Sequence, residues 1–96
     1  MFYLIFAKRF NSYEWKKYPQ KRKYYLRSIF KGGLIIGKQA EEVEQMLGRN
    51  ESCSQMKNRW TYALNTDIKT HKKYFLAVYF ENGTVIMVRK EFKTIL

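Results

Sequence analysis

The sequence predicts an α+β domain in which two helices pack on one face of a three-stranded antiparallel sheet. Three observations predict this fold. Apolar residues recur at helical spacing in the first half of the chain, and short runs rich in β-branched and aromatic residues follow in the second half. An Asn-Gly pair separates the last two of these runs, as in a β-hairpin. The expected order is helix, helix, strand, strand, strand.

The length and composition fit one folded domain. The chain has 96 residues, of which 46% are hydrophobic and 18% aromatic, so one core can form and a second would not fit. We expect residues 1–17 to be an N-terminal arm and residues 18–96 to be the domain. The apolar run Phe2–Phe6 is expected to be a short strand or an extended arm. It is too short to span a bilayer, and it lacks the features of a signal peptide and a lipobox cysteine, so no compartment is assigned.

Two helices are expected before the strands. The first begins at Tyr18-Pro19, because proline suits the first helical position, and it ends at Lys31-Gly32-Gly33, where a cation precedes glycines able to cap a helix. The second runs from about Gln39 to Leu47 and carries acids in its first turn. A polar loop is expected over residues 49–58. The apolar stripes of the two helices are Tyr18, Tyr25, Leu26, Ile29 and Phe30, then Ala40, Val43, Met46 and Leu47.

Three strands are expected over Arg59–Leu64, Tyr74–Phe80 and Thr84–Arg89. The Asn82-Gly83 turn between the last two requires positive φ at both central residues. With this turn, facing residues have numbers that sum to 165. The expected pairs are Phe80 with Val85, Val78 with Met87, Leu76 with Arg89, Tyr79 with Ile86, and Ala77 with Val88.

This register gives the hairpin two apolar faces, and two helices cover only one of them. The second face holds Ala77, Tyr79, Ile86 and Val88. A solvated antiparallel face is normally polar, so these four residues are candidates for a protein interface, with an unidentified protein or with a second copy of the chain. The alternative is that Phe2–Phe6 folds over this face.

The basic residues are concentrated near the N-terminus. The net charge is +11, and residues 1–31 hold nine Lys or Arg against one acid. Cations interleaved with tyrosines suit phosphate contact and base stacking, although a charge run on a helix is also typical of a solvated face. The candidates for contact with nucleic acid or another anionic surface are Lys16, Lys17, Lys21, Arg22, Lys23, Tyr24 and Arg27.

No residue pattern indicates catalysis. His71 is the only histidine and Cys53 the only cysteine, and neither has an obvious partner in a catalytic or metal-binding motif. The acids Glu41, Glu42 and Glu44 are explained by their place near a helix start. We therefore expect no catalytic, cofactor-binding or metal-binding residues, and a protein that is not an enzyme.

An ordered set of motifs over about residues 34–90 resembles the SmpA/OmlA-type small envelope lipoprotein domain, whose fold is shared with the repeats of the β-lactamase inhibitory protein. The resemblance implies the arrangement of two helices and three strands, and it implies binding to other proteins rather than catalysis. Gln39 stands where a Ser or Thr N-cap is usual. The expected function is a non-enzymatic protein-binding or scaffold module; the alternative is binding of nucleic acid or an anionic surface through the basic N-terminal third. The matching residues are Gly37, Glu41, Glu42, Val43, Leu47, Gly48, Trp60, Tyr62, Phe80, Gly83 and Val85.

Overall fold

The computed structural model describes residues 9–51 and 58–95, and their fold belongs to the α+β class that the sequence predicts. The strands form one antiparallel sheet in the order β1-β2-β3. Phe2–Phe6 and Cys53 lie outside the described residues. The elements are helix α1 (Ser12–Lys17), a 3-10 helix (Pro19–Tyr25), helix α2 (Leu26–Lys31), helix α3 (Ala40–Leu47), and strands β1 (Arg59–Asp67), β2 (Lys72–Glu81) and β3 (Thr84–Thr94).

The first predicted helix differs from expectation, because its first seven residues form a 3-10 helix. Side chains three residues apart eclipse in a 3-10 helix, so Arg22 and Tyr25 share one face and both are buried. Helix α2 then buries Ile29, while Phe30, expected in the apolar stripe, is 38% exposed.

The expected boundary at residue 17 is also wrong. Residues 12–17 form helix α1, which begins where the Asn11 side chain accepts a hydrogen bond from the Glu14 N–H. Trp15 on this helix is fully buried and donates its Nε1–H to the Leu47 carbonyl at 3.1 Å. This helix therefore belongs to the folded domain.

Helix α3 agrees with the prediction. Val43 and Leu47 are buried, and Ala40 and Met46 pack against the same core. Gln39 forms a capping box with Glu42, whose carboxylate accepts the Gln39 N–H at 3.1 Å. Glutamine therefore replaces the usual Ser or Thr at this N-cap without loss of the cap.

The β2–β3 hairpin has the predicted turn but a different register. Asn82 and Gly83 have φ values of 53° and 78°, and Phe80 faces Val85 as expected. Beyond this pair, Tyr79 faces Met87 and Val78 faces Val88. Ile86 is thus an extra, unpaired residue, a β-bulge. The predicted pairs beyond Phe80 are therefore wrong: those of Leu76, Ala77, Val78 and Tyr79 each move by one residue.

The described helices pack on one face of the sheet, here called the covered face, and not on the other, here called the open face. All buried apolar residues of the described helices belong to one cluster with Tyr62, Leu64, Leu76, Val78, Phe80 and Val85, which defines the covered face. Val88 packs against this cluster. It therefore lies on the covered face, not on the second face where the sequence placed it. The open face consists of the alternating residues Arg59, Thr61, Ala63, Lys73, Phe75, Ala77, Tyr79, Met87, Arg89, Glu91 and Lys93.

Candidate functional site

The bulge at Ile86 determines which residues of β3 reach the open face. A shift of one residue moves every later side chain to the opposite face. In the predicted register Arg89 would face Leu76 in the core. In the structure Arg89 faces Ala77, and Glu91 faces Phe75. The bulge thus places Arg89 and Glu91 on the open face and Lys90 opposite Leu76.

Arg59, Tyr79 and Glu91 form a hydrogen-bonded cluster, here called the open-face cluster, at the centre of this face. An Arg59 terminal nitrogen donates to Glu91 Oε1 at 2.6 Å, and Arg59 Nε donates to the Tyr79 hydroxyl at 3.2 Å. The Tyr79 hydroxyl donates to Glu91 Oε2. Each of the three side chains thus has two hydrogen-bond partners that fix its position. Hydrogen bonds that involve a charged group are about twice as strong as neutral ones.

Aromatic rings and a second arginine extend the open-face cluster. The Arg59 guanidinium lies 5.5 Å from the Phe75 ring centroid and 5.8 Å from that of Tyr79, distances typical of cation–π contact. Arg89 Nε lies 4.0 Å from Glu91 Oε2. The surface therefore combines flat rings with planar guanidinium groups.

The cluster changes the acidity of Glu91. Burial alone would raise the pKa of the Glu91 carboxyl, but the hydrogen bonds from Tyr79 and Arg59, together with the positive charges of both arginines, lower the pKa below its usual value. The hydrogen bond to Glu91, followed by that to Tyr79, raises the pKa of the Arg59 guanidinium. Both groups are charged at neutral pH, so the ion pair is intact there.

Exposed apolar side chains border the open-face cluster where β3 bulges. Ile86 is 53% exposed and Met87 39% exposed, whereas Tyr79 is half-buried and Ala77 fully buried. Of the four predicted interface residues, the structure brings Tyr79 and Ala77 to the open face, places Ile86 in the bulge beside it, and excludes Val88.

The open face is basic. Arg59 and Glu91 neutralise each other, which leaves Arg89 together with Lys73 and Lys93 further along the strands. Sequence analysis missed Arg59, Arg89 and Glu91 as candidates. The charges of β3 did not indicate the bulge, because a cation faces Leu76 in either register: Arg89 in the predicted one and Lys90 in the observed one.

Arg22 is a structural residue rather than a surface cation. Its Nε donates to the Trp15 carbonyl at 2.8 Å, and its two terminal nitrogens donate to the two Glu51 oxygens at 3.0 Å each. One of these nitrogens also donates to the Ala63 carbonyl at 2.9 Å. Because the side chain is 3% exposed, the placement of Arg22 among phosphate-contact residues is corrected.

The other basic candidates lie on three successive helical segments. Lys16 and Lys17 are on α1, Lys21, Lys23 and Tyr24 on the 3-10 helix, and Arg27 on α2. Several of these cations lie over tyrosine rings: Lys21 Nζ is 4.8 Å from the Tyr18 centroid and Lys23 Nζ is 5.5 Å from that of Tyr24, which is 37% exposed.

No group of three His, Cys, Asp or Glu residues that could hold a metal ion occurs in ranges 9–51 and 58–95. His71 is exposed in the turn between β1 and β2, and the Glu42 carboxylate is engaged in the α3 cap. None of the helices in those ranges is long and apolar enough to cross a membrane.

Comparison with protein-family models, with curated proteins and with solved structures gives no match for this chain.

Proposed function

We propose that this protein is a non-enzymatic protein-binding or scaffold module that uses the open face of its sheet. One observation carries the proposal: the face that the described helices leave uncovered holds an ordered cluster of Arg59, Tyr79 and Glu91, bordered by exposed Ile86 and Met87. Phe75, Ala77 and Met87 give this face an apolar part that a face serving only to be solvated does not need.

The composition and order of this face suit binding to a protein. Tyr, Arg and Met are enriched at interface centres, and Tyr and Arg are frequent among the residues that contribute most of the binding energy. Arg59 and Tyr79 already hold fixed positions in the free chain. Binding through side chains that are ordered beforehand loses less conformational entropy, which favours affinity.

The positive charge of the open face favours a partner with an acidic surface. Arg89, Lys73 and Lys93 are not neutralised by the Arg59–Glu91 pair, so an acidic protein would be attracted and a basic one repelled. The resemblance to the SmpA/OmlA-type domain, with its two helices and three strands, supports the same class of function.

Nucleic-acid binding through residues 8–31 is the alternative function. The buried position of Arg22 removes one of its seven candidate contacts, and the open-face cluster favours the protein-binding proposal over it.

Photo-crosslinking tests the proposal. A photoreactive amino acid replaces Met87 beside the open-face cluster, and in a control it replaces Glu44, which is exposed on α3. We expect one discrete crosslinked species, formed with a partner protein that has an acidic surface, from position 87 and not from position 44. The same species from both positions, or from neither, would contradict the proposal.

A further inference from the structure

A second surface, separate from the open face, lies at the end of the sheet remote from the Asn82-Gly83 turn. Tyr74 on β2 directly faces Phe92 on β3, and their ring centroids are 6.0 Å apart. Lys72 Nζ lies 4.4 Å from the Phe92 centroid, and Lys90 Nζ lies 4.7 Å from that of Tyr74. These four residues, Lys72, Tyr74, Lys90 and Phe92, are here called the aromatic platform.

The aromatic platform is anchored on one side and accessible on the other. Tyr74 is half-buried and packs against the core cluster, while Phe92 is 51% exposed. The platform lies on the same side of the strands as the covered face. About half of the Phe92 side chain, beside the Tyr74 ring, is therefore accessible to a ligand.

The surroundings of the aromatic platform are strongly basic. The only acids in residues 66–75 and 88–95 are Asp67, whose carboxylate accepts backbone N–H groups of its own turn, and Glu91, which pairs with Arg59. Of the cations in these two ranges, Lys72 and Lys90 lie on the platform's side of the sheet and Lys69 lies in the turn before β2, while Lys73, Arg89 and Lys93 lie on the open face. The excess positive charge predicts an anionic ligand.

We propose that the aromatic platform binds single-stranded nucleic acid, by a contact that is independent of the protein-binding open face and of the N-terminal basic residues. Two neighbouring rings on adjacent strands offer stacking surfaces for unpaired bases, and flanking lysines offer contacts for phosphates. On binding, a base takes the place of the ammonium group over Phe92, and Lys72 moves from the ring to the backbone phosphate. A duplex hides its base faces, so single strands bind better.

Fluorescence anisotropy with labelled oligouridine and oligothymidine of about 12 nucleotides, at about 50 mM salt, tests the stacking contact. Phe92→Leu keeps an apolar side chain but removes the ring, and we expect it to weaken binding about tenfold. The matched control is Tyr13→Leu, which removes a 63% exposed ring from the N-terminal basic region and leaves affinity unchanged. Phe92→Trp keeps an aromatic ring and should bind like the natural chain, and a base stacked on the introduced indole should quench the fluorescence of that indole.

The phosphate contacts are tested by salt dependence. The double variant Lys72→Gln/Lys90→Gln lowers the slope of log affinity against log salt by about 1.4, at about 0.7 for each contact on a single strand. The control Lys16→Gln/Lys17→Gln removes the same charge from α1. A smaller change in the control supports the aromatic platform as the binding site.

Four results would each overturn this inference. The first is that neither oligonucleotide binds, and the second is that the platform variants and their controls lose equal affinity. The third is that a duplex of the same length binds more tightly than a single strand. The fourth is that Phe92→Leu loses binding to anionic phospholipid vesicles while its binding to the oligonucleotides is unchanged. The last result would identify a membrane surface as the ligand. Thermal melting of each variant confirms that the fold is retained.

Discussion

At the scale of single residues, Arg22 shows that cations adjacent in the sequence need not lie on the same surface of the protein. Its neighbours Lys21 and Lys23 are ammonium groups on flexible stems, whereas the planar guanidinium of Arg22 pairs with Glu51 and two backbone carbonyls. The guanidinium also lies 5.0 Å from the Trp15 ring. Arg22 thereby connects α1, the 3-10 helix and the edge of β1.

Replacement of this arginine is expected to destabilise the fold. Arg22→Ala removes four hydrogen bonds and leaves the Trp15 and Ala63 carbonyls without this donor, so we expect a loss of about 3 kcal/mol in the free energy of unfolding. Lys23→Ala, an exposed neighbour, should change it by less than about 0.5 kcal/mol. Urea unfolding measures both. Similar effects of the two substitutions would contradict the structural role of Arg22.

Glu91 predicts a pH dependence of stability. Its pKa is lower in the folded chain than in the unfolded one, because its hydrogen bonds to Tyr79 and Arg59 outweigh burial. Its stabilising contribution is therefore complete above the unfolded pKa of about 4.3 and is lost as pH falls through the folded value. We expect Glu91→Gln to be less stable than the natural chain at neutral pH, with a smaller difference near pH 3. A difference that does not shrink on acidification would show that the carboxylate charge contributes nothing.

At the scale of elements, the bulge at Ile86 determines the character of both ends of β3. It moves Val88 to the covered face and Arg89 and Glu91 to the open face. It also brings Phe92 opposite Tyr74. If residues 86–95 of this sequence paired without a bulge, each would move to the opposite face and the two surfaces proposed for ligands would not exist in this form.

Deletions test the bulge directly. Removal of Ile86 leaves Phe80 opposite Val85 and Tyr79 opposite Met87, so every later residue keeps its face and the fold should be retained. Removal of Val88 instead directs Arg89 into the core, where an unpaired charge is expected to destabilise the fold by about 3–5 kcal/mol. Thermal melting compares the two variants. Greater stability of the chain lacking Val88 would exclude this register.

The elements that local sequence specifies were predicted, and those that long-range packing specifies were not. Helix α3 and the Asn82-Gly83 turn follow from capping residues and from a positive-φ requirement that lie within a few positions. The bulge depends on which side of β3 the core requires, and the charges gave no indication of it, because a cation faces Leu76 with or without the bulge. Helix α1 has six residues, too few for a periodic signal, and only Asn11 marks its start.

The candidate site could also be predicted only in part, because some of its contacts join residues that are distant in the sequence. Alternation along β2 was enough to place Tyr79 and Ala77 together on one face. Arg59 and Glu91 lie 32 residues apart, and no local pattern connects them before the strands are aligned. The burial of Arg22 likewise depends on Glu51, 29 residues away.

At the scale of the whole molecule, the described helices cover only part of one side of the sheet. The open face presents Arg59, Tyr79 and Met87, and the far end of the other side presents the aromatic platform. The open face is suited to an acidic protein surface and the aromatic platform to single-stranded nucleic acid. The two surfaces use alternate residues of β2 and β3, so each can be altered by substitution without direct change to the other.

The affinity of an open-face variant for the crosslinked partner tests the central claim most directly. Ile86→Glu/Met87→Glu places two negative charges beside the open-face cluster, and the control Gln20→Glu/Gln45→Glu places two on exposed helical positions. Titration calorimetry measures the association of each folded variant. We expect the open-face variant to bind at least about 30-fold more weakly, as for loss of one dominant interface contact, and the control to bind like the natural chain. Equal affinity of the open-face variant and the natural chain would contradict the assignment of this face as the binding surface.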